Sequence, residues 1–455
     1  MLILTGQQPE GDPYETLTEE CTDIVSAGPA GRHESFLAGP PFSGFHARSD
    51  VRWTARFLAF VAILMAWSPQ QTLGDRFDAA WDTVTRMFRS RKRPGKTYQG
   101  FVRRLFRLGE TLLDPVVDHL RGVLRQVAGA YWTRQGFVAF AADGSRVECP
   151  RTQANEQALG CGGRKGTGPQ FWLTSLWHMG TGLAWAWKMG PSTDAERTHL
   201  RDMLHLLPLN ALLVADAGFT GYALLREILA GGRSFLVRVG SNVRLLKKLG
   251  YAQVETDGTV YLWPEKFQKK DQPPLVLRLI VLEGKGKKMY LLTNLSTEQF
   301  GDEQVAILYE MRWGVELFYR SMKQTLARRK MLSRAAKQAR AELSWTLVGL
   351  QLLGLLSVEQ IIQSGRDPLS WSVAASLRVV RAAMKNRKPR KSHRGGFPAC
   401  LSRAIKDRYQ RRNRKKARNW PHKKREKPPG APKLRNATAT EIKKAKRIRA
   451  TKMAA

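Results

Sequence analysis

Acidic side chains are in short supply. Against 76 Lys and Arg stand 38 Asp and Glu in 455 residues, leaving a net charge of +38. A field of that sign repels basic partners and draws polyanions, nucleic acid first. Cysteine is scarcer still: Cys21, Cys149, Cys161 and Cys400 lie far apart, with no C-x-x-C pair. That excludes a disulfide framework and a sulfur-rich zinc site, and it suits a reducing cytosol. None of the eight His falls in an H-E-x-x-H arrangement, so none is assigned a metal. The basic, glycine-rich run Gly160–Gly168 lacks the G-x-x-x-x-G-K-[ST] order, which excludes a nucleotide P-loop. No run reaches the ~18 apolar residues that cross a bilayer; the best, Phe57–Trp67, is too short and reads as a buried helix. The opening residues carry no basic start, so no secretory leader is expected. The expectation is a cytoplasmic, nucleoid-associated protein with no membrane partner.

With 43% hydrophobic residues, the chain can bury a large core over two or three domains. Residues 1–50 show no period, carry many Gly and Pro, and read as a loosely ordered leader. From 51 to 133 the period is helical. Asp75–Phe88 and Tyr98–Leu108 flank the basic loop Arg89–Lys96, as expected of a helical DNA-binding domain. After Thr133 short apolar strands take over, at 137–142, 171–178, 183–188, 211–215 and 235–239. A capping box at Thr193–Glu196 predicts a helix to about Leu207, and another helix covers 222–230. Residues 240–295 read as a mostly β insertion, with a strand at 259–263 and a hairpin over 275–282 and 289–292. These strands and the helix after them make one α/β domain, 134–335. An apolar helix over 342–362 lies within C-terminal helices at 336–384. The remainder, 385–455, holds 27 Lys and Arg against 3 Asp and Glu, and reads as a basic, largely disordered arm.

The chain is organised around Leu308–Lys330, which predicts one amphipathic helix. Ile307, Leu308, Met311, Val315, Phe318, Met322 and Leu326 share a face, and Tyr309, Arg312, Glu316 and Lys323 form a polar row beside it. Asp143 and Asp216 each end a buried strand, with a Gly close behind that lets the backbone turn. Strand ends are where sites form in α/β sheets. With Glu316 laid across them, three carboxylates offer oxygen ligands that suit Mg2+ or Mn2+. Two such ions, about 3.5–4 Å apart, would serve phosphodiester chemistry.

The spacing Tyr309-x-x-Arg312-x-x-x-Glu316-x-x-x-x-x-x-Lys323 matches the Tyr-Arg-Glu-Lys signature of bacterial insertion-sequence transposases of the family-four type. Trp313 after the Arg, Asp143-Gly-Ser, Asp216-Ala-Gly-Phe and Leu291-Leu-Thr-Asn-Leu295 also resemble that group. The resemblance spans about Phe137 to Lys330. It implies an RNase H-like DDE catalytic domain with a β insertion before the Glu helix. It implies Asp143, Asp216 and Glu316 as catalytic metal ligands, and Tyr309, Arg312 and Lys323 on DNA phosphates, with Trp313 and Arg320 beside them. Trp263 is a candidate for stacking a flipped base, weighed against a plain core role. The implied partners are double-stranded transposon ends and target DNA, held by a homodimer on paired ends. Two other readings stay open: a metal-dependent nuclease on the same scaffold, and a basic DNA-binding protein without catalysis.

Overall fold

The computed structural model describes residues 37, 40–46, 48, 50–88, 93–162, 167–284, 287–385, 396–407 and 430–454. Residues 1–36 of the expected leader lie outside that set. So do parts of the two basic loops (89–92 and 163–166) and the clusters of the tail between 408 and 429.

Four helices come first: α1 (Ala55–Trp67), α2 (Leu73–Met87), α3 (Tyr98–Leu108) and α4 (Glu110–Ala128). Threonine starts three of them. Thr54, Thr72 and Thr97 each accept a hydrogen bond from the backbone N–H three residues on, satisfying a donor the helix cannot. The α/β part follows as β1 (Ala139–Glu148), α5 (Gln153–Leu159), β2 (Gln170–His178), β3 (Leu183–Pro191), α6 (Glu196–Met203), β4 (Leu212–Ala215), α7 (Tyr222–Ala230) and β5 (Ser234–Val239). Next come β6 (Arg244–Lys247), β7 (Thr259–Leu262), the short α8 (Glu265–Gln268), β8 (Leu275–Gly284) and β9 (Lys287–Thr293). The helices α9 (Asp302–Met311), α10 (Trp313–Arg320), α11 (Ala336–Gln363), α12 (Val373–Met384) and α13 (Phe397–Ser402) precede β10 (Lys433–Asn436) and α14 (Ala439–Ala454).

The ten strands of the described residues form one sheet, in the order β10-β6-β7-β8-β9-β5-β4-β1-β2-β3. Strands β1, β2 and β3 pair antiparallel, and β1, β4 and β5 pair parallel. The fold is thus mixed α/β, with helices packed about a large sheet. The insertion does not stand apart as the sequence suggests: β9 pairs antiparallel with β5, so the insertion prolongs the main sheet. A free edge at β5 would leave backbone donors and acceptors unpaired, and the hairpin β8–β9 satisfies them.

Three further expectations are corrected. The tail is not disordered throughout, because β10 pairs in parallel with β6 and closes the far edge of the sheet. Helix α14 follows it and buries Ala445 and Ile448, two apolar residues the basic composition hides. Helix α11, 28 residues long, is long and apolar enough to cross a membrane by composition, yet 89% of its apolar window is buried inside the fold. It is the core helix of the helical layer. Residues 51–133 and 336–384 are also not separate bodies. Trp67 Nε1 donates to Gly349 O at 2.8 Å, and the buried Arg328 donates to the carbonyls of Met65, Ala66 and Ser68 at the end of α1. A cation on the exposed carbonyls of a helix C-terminus is favourable for both dipole and hydrogen bonding.

Candidate active site

Strand β1 carries the first acid. Ala139, Phe140, Ala141 and Ala142 are buried between β2 and β4, and burial relaxes from Asp143 onward. Asp143 therefore does not end the strand, as the sequence predicts; β1 continues to Glu148 along β2 after its parallel partner β4 has stopped. The parallel register pairs Ala142 with Ala215, so Asp143 and Asp216 are each the next residue beyond a matched pair. Two strands that part there leave a notch with an aspartate on each lip. Asp143 Oδ1 accepts from Gly144 N at 2.9 Å, and Asp216 Oδ1 from Gly218 N at 2.8 Å, which sets both carboxylates against their own turns.

The predicted long helix is three pieces. It starts at Asp302, breaks at Arg312 between α9 and α10, and passes into a π-helical turn over Ser321–Thr325. Lys330 is no longer helical; it bridges to Glu148 of β1. Such wide turns gather at functional sites. The reason for the breaks lies in how α10 is held to β1. The Tyr319 hydroxyl donates to Asp143 O at 2.7 Å, and Lys323 Nζ donates to Ser145 Oγ at 2.8 Å. Met331 N then donates to Glu148 O at 2.8 Å. A straight helix rises 1.5 Å per residue and a strand about 3.3 Å, so the two cannot stay in step without local unwinding.

Glu316 sits one turn before Tyr319 and is half-exposed, with Oε1 3.4 Å from Arg312 Nη2. Arg312 is only 7% exposed and lies between the rings of Tyr309 and Trp313, at 5.6 and 5.8 Å from their centroids. Tyr309 is 4% exposed, and its hydroxyl makes no hydrogen bond of ordinary geometry among the described residues. Neither side chain lies open on the surface as the polar row suggests. Trp313 does, at 58% exposure, and Arg320 is exposed on the same helix. Trp263 is a core residue: it is buried and its Nε1 donates to Gln272 O at 2.7 Å.

A fourth carboxylate enters that sequence reading missed. Glu196 does not form the predicted capping box; α6 is capped at Ala195 with no side-chain hydrogen bond and runs only to Met203. The Glu196 side chain is instead turned to the notch, with Oε2 against Gly144 and Oε1 against Gly218. Burial, then the charges of Asp216 and Asp143, push its carboxyl up to about 7. Burial also raises Asp143 to about 6; its Gly144 hydrogen bond and Arg312 oppose this, while Asp216 and Glu316 add to it. Burial lowers the Lys323 ammonium. The notch is an acidic pocket whose groups resist ionising together, a familiar property of functional sites.

All of these donors are carboxylate oxygens, the chemistry that hard divalent cations take. Glycine at 144 and 218 keeps the space between the aspartates open, since an added Cβ would come within 2.6 and 2.5 Å of Glu196 oxygens. The expected triad is not a closed cage: among the described residues no three Asp, Glu, His or Cys side chains are grouped to hold an ion. Glu316 faces Arg312 across 3.4 Å, and its charge reaches Asp143 without its side chain joining the aspartates.

Residues 134–351 match the family described as the transposase DDE domain. The chain is 26% identical over 268 residues to the transposase InsG of insertion sequence element IS4 from Escherichia coli (strain K12). That alignment covers 55% of this chain and 59% of the relative, so the chain spans somewhat over half the length of the curated protein it matches. Among solved structures it is similar to a piggyBac transposase in a synaptic complex with hairpin DNA, at 12% identity, covering 86% of each chain. The TM-score is 0.41, too slight a likeness to carry an argument. Through residues 134–351 the chain belongs to the DDE transposase family of the insertion-sequence-four type, which its Tyr-Arg-Glu-Lys signature resembles.

Proposed function

We propose that this protein is a DNA transposase that cleaves the ends of an insertion sequence and joins them to target DNA. The observation that carries the reading is the parallel register of Ala142 with Ala215. It sets Asp143 and Asp216 on the two lips of one notch, and Tyr319 draws the Glu316 helix to the same strand. The strand order β3-β2-β1-β4-β5, followed by a β insertion and then the Glu helix, supports an RNase H-like DDE domain.

In this reading Asp143, Asp216 and Glu316 hold two Mg2+ or Mn2+ ions. Such ions, when bound, activate a water or a 3′ hydroxyl and stabilise the leaving oxygen of a phosphodiester. Glu316 leaves Arg312 to join the two aspartates, and the freed guanidinium forks onto a DNA phosphate. Lys323 supplies a point charge to the backbone, and Arg320 and Trp313 meet DNA from the exposed face of α10. Tyr309, enclosed beneath Arg312, supports that guanidinium and turns its hydroxyl to the same phosphate. Transposon ends and target duplex are the substrates, bound by a homodimer on paired ends in the cytoplasm. The net charge of +38 supports tight, salt-sensitive binding to both.

The test is strand transfer with pre-cut ends and Mg2+. Asp143→Ala is expected to abolish cleavage and joining while DNA retention on a gel stays within about twofold of wild type. Cleavage without joined product in the wild-type protein would move the assignment to a plain nuclease. Unimpaired cleavage by Asp143→Ala would sink the site.

A further inference from the structure

The sequence motifs leave one acidic group at the notch without a role. Glu196 opens α6, which lies on the face of the sheet opposite α10. Gly314 of α10 abuts the Trp177 ring, and His199 of α6 bonds Thr174 Oγ1 at 3.1 Å. Trp177 lies opposite Ala141 and Thr174 opposite Gly144, and residues three apart on a strand face opposite ways. The two helices therefore clasp the notch from both sides, α10 bringing Glu316 and α6 bringing Glu196.

Three observations make Glu196 more than a surface acid. Its two oxygens are split between the lips, one against Gly144 beside Asp143 and one against Gly218 beyond Asp216. It has no donor: among the described residues the Glu196 carboxylate accepts no hydrogen bond and forms no ion pair, although Arg197 next to it donates to Gly218 O. A half-buried carboxylate pressed between two others is costly unless a cation joins them. The Tyr309 hydroxyl, nine-tenths buried and without a hydrogen-bond partner of ordinary geometry, is within charge range of Asp216 and supplies a second unsatisfied polar group on the same ground.

We propose that Glu196 is a fourth carboxylate of the divalent-cation site, bridging the two aspartates from the face opposite Glu316. The inference rests on the metal-dependent reading above. It deepens that reading by giving this chain a cation site that Asp143, Asp216 and Glu196 hold before Glu316 leaves Arg312. Glu316 then completes the site when DNA draws Arg312 away. The residues gathered before DNA arrives are thus two aspartates and Glu196, and the signature glutamate is the last to join.

The experiment is Mn2+ binding to the full-length protein without DNA, counted by the paramagnetic signal of free ion. Wild type, Glu196→Gln, Asp216→Asn and Glu316→Gln are compared, with thermal unfolding in EDTA alongside. Glu196→Gln is expected to weaken Mn2+ binding about tenfold or more, while Glu316→Gln changes DNA-free binding less than threefold. In EDTA the Glu196→Gln protein is expected to melt at or above the wild-type temperature, because a crowded charge has been removed. Wild-type affinity in Glu196→Gln with loss in Asp216→Asn would overturn the fourth carboxylate alone. Wild-type affinity in all three variants would overturn the metal-site reading beneath it. A lower melting temperature for Glu196→Gln in EDTA would show a helix-anchoring role and overturn the proposal as well.

Discussion

Asp143 shows how one residue bears opposite demands. Folding buries it beside Asp216, so its carboxyl is raised from an ordinary 3.8 to about 6, and Glu196 from 4.5 to about 7. A raised folded pKa means the folded state holds the proton more tightly than the unfolded chain does. These groups therefore favour folding at low pH. The benefit fades as pH rises from about 4 through about 7, and above both folded values no further change is due to them. Free of divalent ions, the protein is expected to lose melting temperature across that window, and Mg2+ added at pH 8 is expected to restore part of it. Asp143→Asn, which cannot ionise, is expected to melt about 2–4 °C above wild type at pH 8 in EDTA and at the wild-type temperature near pH 4. A variant that melts lower at pH 8 would mean the aspartate is structurally paired and not strained.

Between elements, the contact that matters is the one Tyr319 makes. The helix that carries Glu316 is held to β1 by a side-chain hydroxyl on the backbone of Asp143 itself, so the acid on the helix and the acid on the strand move together. Tyr319→Phe removes that bond with almost no change of shape. It is expected to cost about 0.5–1.5 kcal/mol of stability in urea unfolding. The strand-transfer rate is expected to fall by more than that, about tenfold, because misplacement at a reacting centre is amplified. An unchanged rate with the stability loss intact would confine Tyr319 to packing. The π-helical turn at Ser321–Thr325 belongs to the same economy of registry, letting Lys323 reach Ser145 where a regular helix would overrun the strand.

At the scale of the whole molecule, the sheet is continuous from β3 to β10, and the helical layer from 51 to 384 is locked by α11. The basic C-terminal part therefore has two physical roles. It carries +24 of the charge from residue 385 onward, by 27 Lys and Arg less 3 Asp and Glu, and it closes the sheet through β10. A chain ending at Lys385 is expected to bind DNA with a shallower dependence of log affinity on log salt, and also to melt at a lower temperature. Filter binding across a salt series and calorimetry check the two together. A truncation that flattens the salt slope without touching stability would make the arm purely electrostatic.

Much was legible in the chain itself. Strands β2 to β5, the helix over Tyr222–Ala230 and the buried α1 follow from apolar runs, and such runs report burial directly. Asp216 was legible as a strand end because β4 really does stop there. Asp143 was placed a few residues wrong because the end of β1 is set by β2, a partner the local pattern does not contain. Glu196 was hidden for the same kind of reason: T-x-x-E is a local capping pattern, and only the packing of α6 on β2 turned that carboxylate away from its helix. Tyr319 looked like one more apolar-face residue until its hydroxyl met a carbonyl far away in sequence. Periodicity and charge are local quantities and were decided by the chain alone. Which carboxylates share a notch, and which end of a basic tail closes a sheet, depend on hydrogen-bond partners distant in sequence, and only the folded molecule decided them.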